Sequence, residues 1–240
     1  TYGDMTIANS MADNYYSGTT NDESMDNKQN TDTTIADVEQ VVRENFDPDT
    51  WKVTEAMLSA HATLLLKNAD GGTGLVITGP SSSGKSTILK FLDGLDEMVY
   101  RSDDVTPASF VSHDSSKSEE QLQEIDLLPR VAKKTLLAKD MASWFSGDQE
   151  VVRSRMSIMT DLMDGDGYTR DSGSHGQRGY EGKEYLFNFI GATTPLPASA
   201  WDAMGTVGNR LVFHEKNGDV DTATIIGGLN GGSEYIPQVN

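Results

Sequence analysis

Leu75-Val-Ile-Thr-Gly-Pro-Ser-Ser-Ser-Gly-Lys-Ser-Thr87 decides the reading of this chain. Residues 75–78 form a short apolar run between turn signals, which predicts a buried strand. The glycine-rich loop 79–84 follows, and 84–95 reads as a helix. Gly79, Pro80, Ser81, Ser82, Ser83, Gly84, Lys85 and Ser86 match the phosphate-loop pattern G-x-x-x-x-G-K-[ST] in its required strand–loop–helix context. Such a loop meets a nucleoside triphosphate with backbone N–H groups and the positive end of a helix. Gly79 and Gly84 permit the tight wrap. Lys85 is expected to place a point charge on the β and γ phosphates, Ser86 to hold Mg²⁺ through its hydroxyl, and Thr87 to line the α-phosphate side. The motif selects nucleotide binding and leaves the reaction open.

Outward from the loop, helical and strand segments alternate, which predicts a parallel α/β sheet. Upstream, Val38, Val41, Val42 and Phe46 form a helical stripe closed by Asp47-Pro48, and 51–68 reads as a second amphipathic helix. Downstream, 98–100, 135–138, 185–190 and 210–213 read as strands. The segment 101–120 is polar, with a short helix from Thr106, while 150–163 and 198–204 read as helices. The chain divides into a polar, disordered lead-in (1–34), N-terminal helices that pack on the core (35–70), a P-loop core (71–216) and a Gly-rich tail (217–240).

A P-loop hydrolase needs an acid at the end of a neighbouring strand to orient metal and water. Asp140, after Thr135-Leu-Leu-Ala-Lys139, is the candidate, with Ser86, for Mg²⁺. The alternative reading has Asp140 capping the helical turn that follows. Met141 stands where many motors carry a catalytic Glu.

Composition narrows the class. The 240 residues carry 37 acidic and 19 basic side chains, a net charge of −18, and no cysteine. Disulfides and cysteine-based zinc sites are thereby excluded, and a cytoplasmic location is expected. No apolar run is long enough to span a membrane. The acids are spread along the chain, which favours adaptation to high salt, where self-repulsion is screened, over an acidic partner-binding tail.

Residues 189–213 read Phe-Ile-Gly-Ala-Thr-Thr-Pro-Leu-Pro-Ala-Ser-Ala-Trp-Asp-Ala-Met-Gly-Thr-Val-Gly-Asn-Arg-Leu-Val-Phe. This stretch resembles the region of AAA+ ATPases in which a strand ends in Gly-Ala-Thr-Asn-x-Pro, a short helix follows, and an Arg precedes the next strand. With the P-loop and Asp140, residues 70–215 resemble AAA+ proteins of the phage, plasmid and archaeal-virus helicase type. The resemblance implies ATP and Mg²⁺ as ligands and a homo-oligomeric ring, usually hexameric. It also implies action on single- or double-stranded DNA. It places Thr194 at the sensor position, where most relatives carry Asn, and Arg210 at the arginine finger that reaches a neighbouring subunit's ATP. The competing reading of Arg210 is a pair with a surface acid.

The stretch 164–183 interleaves Tyr168, Arg170, Arg178, Tyr180 and Lys183, which suits stacking and phosphate contact along a single strand. Its place between the acidic strand and the sensor strand matches a pore-lining hairpin of related helicases; a plain surface hairpin is the other reading. Two further functions stay open. One is a P-loop phosphotransferase, although no Arg-rich lid is evident. The other is a nucleotide-dependent assembly module with little turnover. A transporter ATPase is disfavoured, because no Leu-Ser-Gly-Gly-Gln signature occurs.

Overall fold

The computed structural model describes residues 33–173, 175–205 and 210–217; the lead-in before residue 33 and the tail after 217 lie outside them. Helix α1 spans Ile35–Asn45 and starts with a capping box between Thr34 and Asp37. Helix α2 spans Pro48–Ala62. It begins three residues before the sequence reading placed it, because Asp47 caps the backbone of Asp49 and Thr50 while Pro48 takes the first turn, where no N–H is needed. A 3₁₀ turn, Thr63–Leu65, ends it short of residue 68.

The strands are β1 (Gly74–Thr78), β2 (Val99–Ser102), β3 (Thr135–Ala138), β4 (Gly167–Ser172), β5 (Gly176–Glu181), β6 (Asn188–Thr193) and β7 (Leu211–Glu215). The remaining helices are α3 (Lys85–Leu89), α4 (Pro107–Phe110), α5 (Glu119–Ile125), α6 (Leu127–Val131), α7 (Gln149–Met163) and α8 (Ala198–Met204). Five strands form one parallel sheet in the order β2-β3-β6-β1-β7, while β4 and β5 pair as a separate antiparallel hairpin. The fold is α/β, as the alternation of segments predicted.

All five residues of β1 are buried, as a strand covered on both faces requires. Its side chains alternate between two apolar clusters. Val76 joins Leu136, Phe189 and Leu211 in one cluster, which α4, α6, α7 and α8 cover. Leu75 and Ile77 join Leu137, Ile190 and Ala192 in the other, beneath α1, α2 and α3. Each such Leu, Ile or Val contributes about 1.5–3 kcal/mol by leaving water, so the sheet is fixed from both sides.

Three elements depart from the sequence reading. Strand β6 begins at Asn188 rather than 185, because Lys183–Tyr185 form a 3₁₀ turn. It then runs through Gly191, which pairs with both β1 and β3, to Ala192 and Thr193, which pair with β1. Pairing on two sides overrides the poor strand propensity of glycine. Helix α3 is shorter than 84–95, passing into a 3₁₀ turn at Lys90–Leu92. Helix α5 starts at the end of the polar stretch 101–120 and runs on through residues that the sequence reading left unassigned, although Ser118 and Gln121 form a capping box that marks its start.

Candidate functional site

The carboxyl ends of all five parallel strands open on one edge of the sheet. At that edge the chain leaves β1 into α3, on the α1–α2 side, and leaves β6 into α8, on the opposite side. Strands β1 and β6 are neighbours, so their continuations diverge and leave a crevice between them, the place where open α/β sheets bind ligands. Residues 79–84 lie at its mouth.

The loop has the backbone of an anion cradle. Ser82 holds φ at +64° and Gly84 at +85°, so two positive-φ residues flank Ser83, and backbone of this kind can form the concave nests that bind anions. A non-glycine residue in that region costs of order 1 kcal/mol and persists only where its surroundings impose it. Gly79 is required for a different reason. A Cβ there would lie 2.6 Å from the carbonyl oxygen of Lys216, so the loop fits against the end of β7 only without a side chain.

Lys85 folds back across this loop. Its ammonium donates to the carbonyl oxygens of Gly79 at 2.8 Å and Pro80 at 2.5 Å, and to Ser83 Oγ at 3.3 Å. Partial burial lowers its pKa, and the negative charge of Asp140 opposes that shift. Asp140 therefore lies within electrostatic reach of Lys85, which brings the loop lysine and the candidate acid of β3 into one site.

Asp140 is exposed, and its Oδ1 accepts 2.8 Å from the amide of Ala142. This bond turns the chain into the 3₁₀ segment Ala142–Phe145 at the carboxyl end of β3. The cap position of that segment is Met141, with no side-chain cap bond, so the capping role weighed from sequence is met only by this local contact. Met141 is fully buried, and its amide donates 2.8 Å to the carbonyl of Ala192. Its side chain packs in the cluster under α7 and α8, against Gly191. The position after Asp140 is thus a core position in this chain.

Thr193 is buried and pairs in register with Thr78; Thr194 follows it, exposed, just past the end of β6. Ile190 and Ala192 face the α3 side of the sheet, and Thr194 lies in the bend beyond the strand's end. Arg210 lies at the other end of the sheet. Its carbonyl accepts from Gly74, the first residue of β1, at 3.3 Å. The four steps from Gly74 to Thr78 span about 13 Å at about 3.3 Å per residue, farther than an arginine side chain reaches. Arg210 cannot touch the loop of its own chain. Its guanidinium pairs with Asp164 at 2.6 Å, both side chains half-exposed.

The hairpin β4–β5 carries the aromatic and basic residues singled out from sequence, in two groups. Tyr168 and Tyr180 pack against the core. Arg178 is buried and donates 2.9 Å to Asp126 Oδ2, a carboxylate that is itself fully buried; the Tyr180 hydroxyl donates 2.8 Å to the same oxygen. Both residues fasten the hairpin to the loop before α6, so a phosphate has no access to Arg178 in this conformation. Arg170 is exposed, and Lys183 is exposed and paired with Asp70 at 2.5 Å.

Two features escaped the sequence. Lys216, directly after β7, is 1% exposed, and its ammonium donates to both oxygens of Asp47 at 2.8 Å. Its amide donates 2.7 Å to Thr78, so it ties the cap of α2 to the strand that feeds the loop. Beside the loop, Ser86, Leu89, Lys90, Arg101, Leu137 and Lys139 line a shallow pocket. Lys139 reads as a break in an apolar strand, yet it lies past the strand's end, facing α3.

Comparison of the chain with protein-family models and with curated proteins returns no significant match.

Proposed function

We propose that this chain is a P-loop NTPase of the AAA+ type, an oligomeric ATP-hydrolysing motor that acts on nucleic acid as helicase-type ATPases do. The observation that carries the reading is the loop 79–84, with two left-handed residues and Lys85 folded across it, at the crevice between β1 and β6. Burial lowers the Lys85 pKa, and Asp140, one strand beyond β6, lies close enough for its charge to oppose that shift. A triphosphate in the cradle exchanges the weak carbonyl contacts of Lys85 for charge-assisted ones.

Mg²⁺ fits by donor type. Among the described residues no cluster of three His, Asp or Glu could hold a metal by itself. Ser86 and Asp140 offer one hydroxyl and one carboxylate, and Mg²⁺ is commonly held by one or two carboxylates together with substrate phosphates and waters. When bound, the ion neutralises charge that develops on the phosphates. The chain's own residues do the rest: the loop amides orient the phosphates, Lys85 supplies a fixed charge, and Thr194 is placed to hydrogen-bond a γ-phosphate or water through its hydroxyl.

Arg210 is assigned to the ATP of a neighbouring subunit, since its own loop is out of reach. Arg210→Ala is expected to keep ATP binding and lose turnover. Mixing it with Asp140→Asn subunits is expected to restore partial activity, because an interface at which the site of an Arg210→Ala subunit faces the finger of an Asp140→Asn subunit has both parts intact, whereas the reverse orientation has neither. No recovery in the mixture would count against a finger acting between subunits.

ATP hydrolysis in molar KCl with Mg²⁺, with and without single-stranded DNA, tests the whole reading. DNA-stimulated turnover is expected. Turnover that ignores DNA would favour phosphotransfer to a small acceptor, and binding with negligible turnover would favour an assembly module.

A further inference from the structure

The pocket beside the loop differs in chemistry from the loop itself. Its polar lining is the Ser86 hydroxyl and three cations, Lys90, Arg101 and Lys139; no acidic residue lines it. Three of the chain's 19 basic residues thus converge on one depression in a molecule of net charge −18. Arg101 is pinned, donating 3.3 Å to the carbonyl of Leu89 and pairing with Asp93. Among the described residues, no salt bridge engages Lys90 or Lys139.

We propose that this pocket is a second anion subsite, contiguous with the P-loop through Ser86, that takes a phosphate-sized group of a small second ligand. The proposal rests on the nucleotide reading for the neighbour it serves. Position, sign and surroundings carry it. Arg101 lies on β2, Leu137 on β3 and Lys139 just past β3, so the pocket opens at the sheet edge that carries the P-loop. Leu89 and Leu137 supply the apolar floor, and the exposed cations at the rim act on an anion with a strength that salt reduces. Lys90 and Lys139 disfavour a divalent metal on this flank of Ser86 and leave the Asp140 side for Mg²⁺, whereas the charge of Arg101 is offset by Asp93. The depression is small, and a compact anion that enters it meets mainly the local positive field. The site therefore selects a small phosphorylated ligand, or inorganic phosphate itself, beside the bound triphosphate.

The test titrates inorganic phosphate, by calorimetry at fixed ionic strength, into protein saturated with a non-hydrolysable ATP analogue. Wild type is compared with Lys90→Glu/Lys139→Glu, and circular dichroism checks that the fold is kept. Saturable phosphate binding is expected in the wild-type complex. Loss of two charge-assisted contacts in the double variant is expected to weaken it by roughly tenfold or more, while Lys90→Arg/Lys139→Arg retains it. Absence of phosphate binding with the analogue in place, or equal binding by the double variant, would overturn the subsite. Binding of a short oligonucleotide through the same lysines, without binding of phosphate, would overturn the small-ligand assignment. If the analogue fails to bind wild type, the nucleotide reading fails separately. The same titration on Lys85→Ala then still reads the pocket: phosphate binding that depends on Lys90 and Lys139 supports it, and its absence overturns it.

Discussion

Lys85→Ala is expected to weaken ATP binding by about ten- to a hundredfold and to abolish measurable turnover. The ammonium is the only cation in the loop 79–87, and it already lies within it, bonded to Gly79, Pro80 and Ser83. A hydrogen bond to a charged group is worth about 1.5–3 kcal/mol, and each 1.4 kcal/mol is about a factor of ten in affinity. Turnover falls further than binding, because charge builds on the transferring phosphate beyond its ground-state value. Lys85→Arg is not a rescue: a planar fork cannot make the compact contacts that the ammonium makes with two neighbouring carbonyls. The lowered pKa of Lys85 adds a signature of sign. The protonated form binds phosphate, so ATP affinity falls as pH rises, and at a lower pH than an ordinary lysine would set. Titration of a fluorescent ATP analogue, against pH and against the variant, reads both effects. Unchanged affinity in Lys85→Ala would sink the assignment of this loop to the triphosphate.

The same loop shows why part of the protein was legible before its structure. Gly79, Gly84 and Lys85 act within a few residues of one another, so their spacing carries the geometry. The buried strand before the loop is local too, and four apolar or small residues between turn signals sufficed. The sheet order was not legible, because each parallel neighbour of β1 lies more than a hundred residues away in the chain. The placement of β6 failed for a related reason: Tyr185, Leu186 and Phe187 look like strand, but the pairing partners lie beside Gly191 and Ala192. Arg178 and Tyr180 mark the limit most clearly. As a run of alternating aromatics and cations they suit a nucleic-acid surface, and nothing in that run shows that Asp126, more than fifty residues earlier, holds them both.

Asp126→Ala is expected to be the most destabilising single change outside the apolar core. The carboxylate is fully buried. It accepts from the amide of Ser112 at 2.7 Å, from Arg178 at 2.9 Å and from the Tyr180 hydroxyl at 2.8 Å, so one side chain joins the loop after α4, the start of α6 and strand β5. Burial, then the hydrogen bond to this carboxylate, pushes the Tyr180 pKa up, and the phenol stays protonated as a donor. Removing Asp126 leaves a guanidinium in the interior with no counter-charge at 2.9 Å. Breaking a buried pair by deleting one partner costs about 3–5 kcal/mol. At about 2–4 °C per kcal/mol for a chain of this size, the melting temperature should fall by about 6–20 °C. The pair is not required to be favourable in itself, because two buried charges cost solvation that their attraction only partly returns. Asp126→Ala combined with Arg178→Met is therefore expected to recover part of the loss, a non-additivity that contacting residues show and distant ones do not. Hydrogen exchange locates the damage: in Asp126→Ala the amides of β4 and β5 should lose protection before those of the parallel sheet. A melting temperature within one or two degrees of wild type would show that the hairpin is held by something else. If Arg178→Ala left stability unchanged and lowered affinity for single-stranded DNA, Arg178 would belong to the ligand surface and not to the anchor of the hairpin.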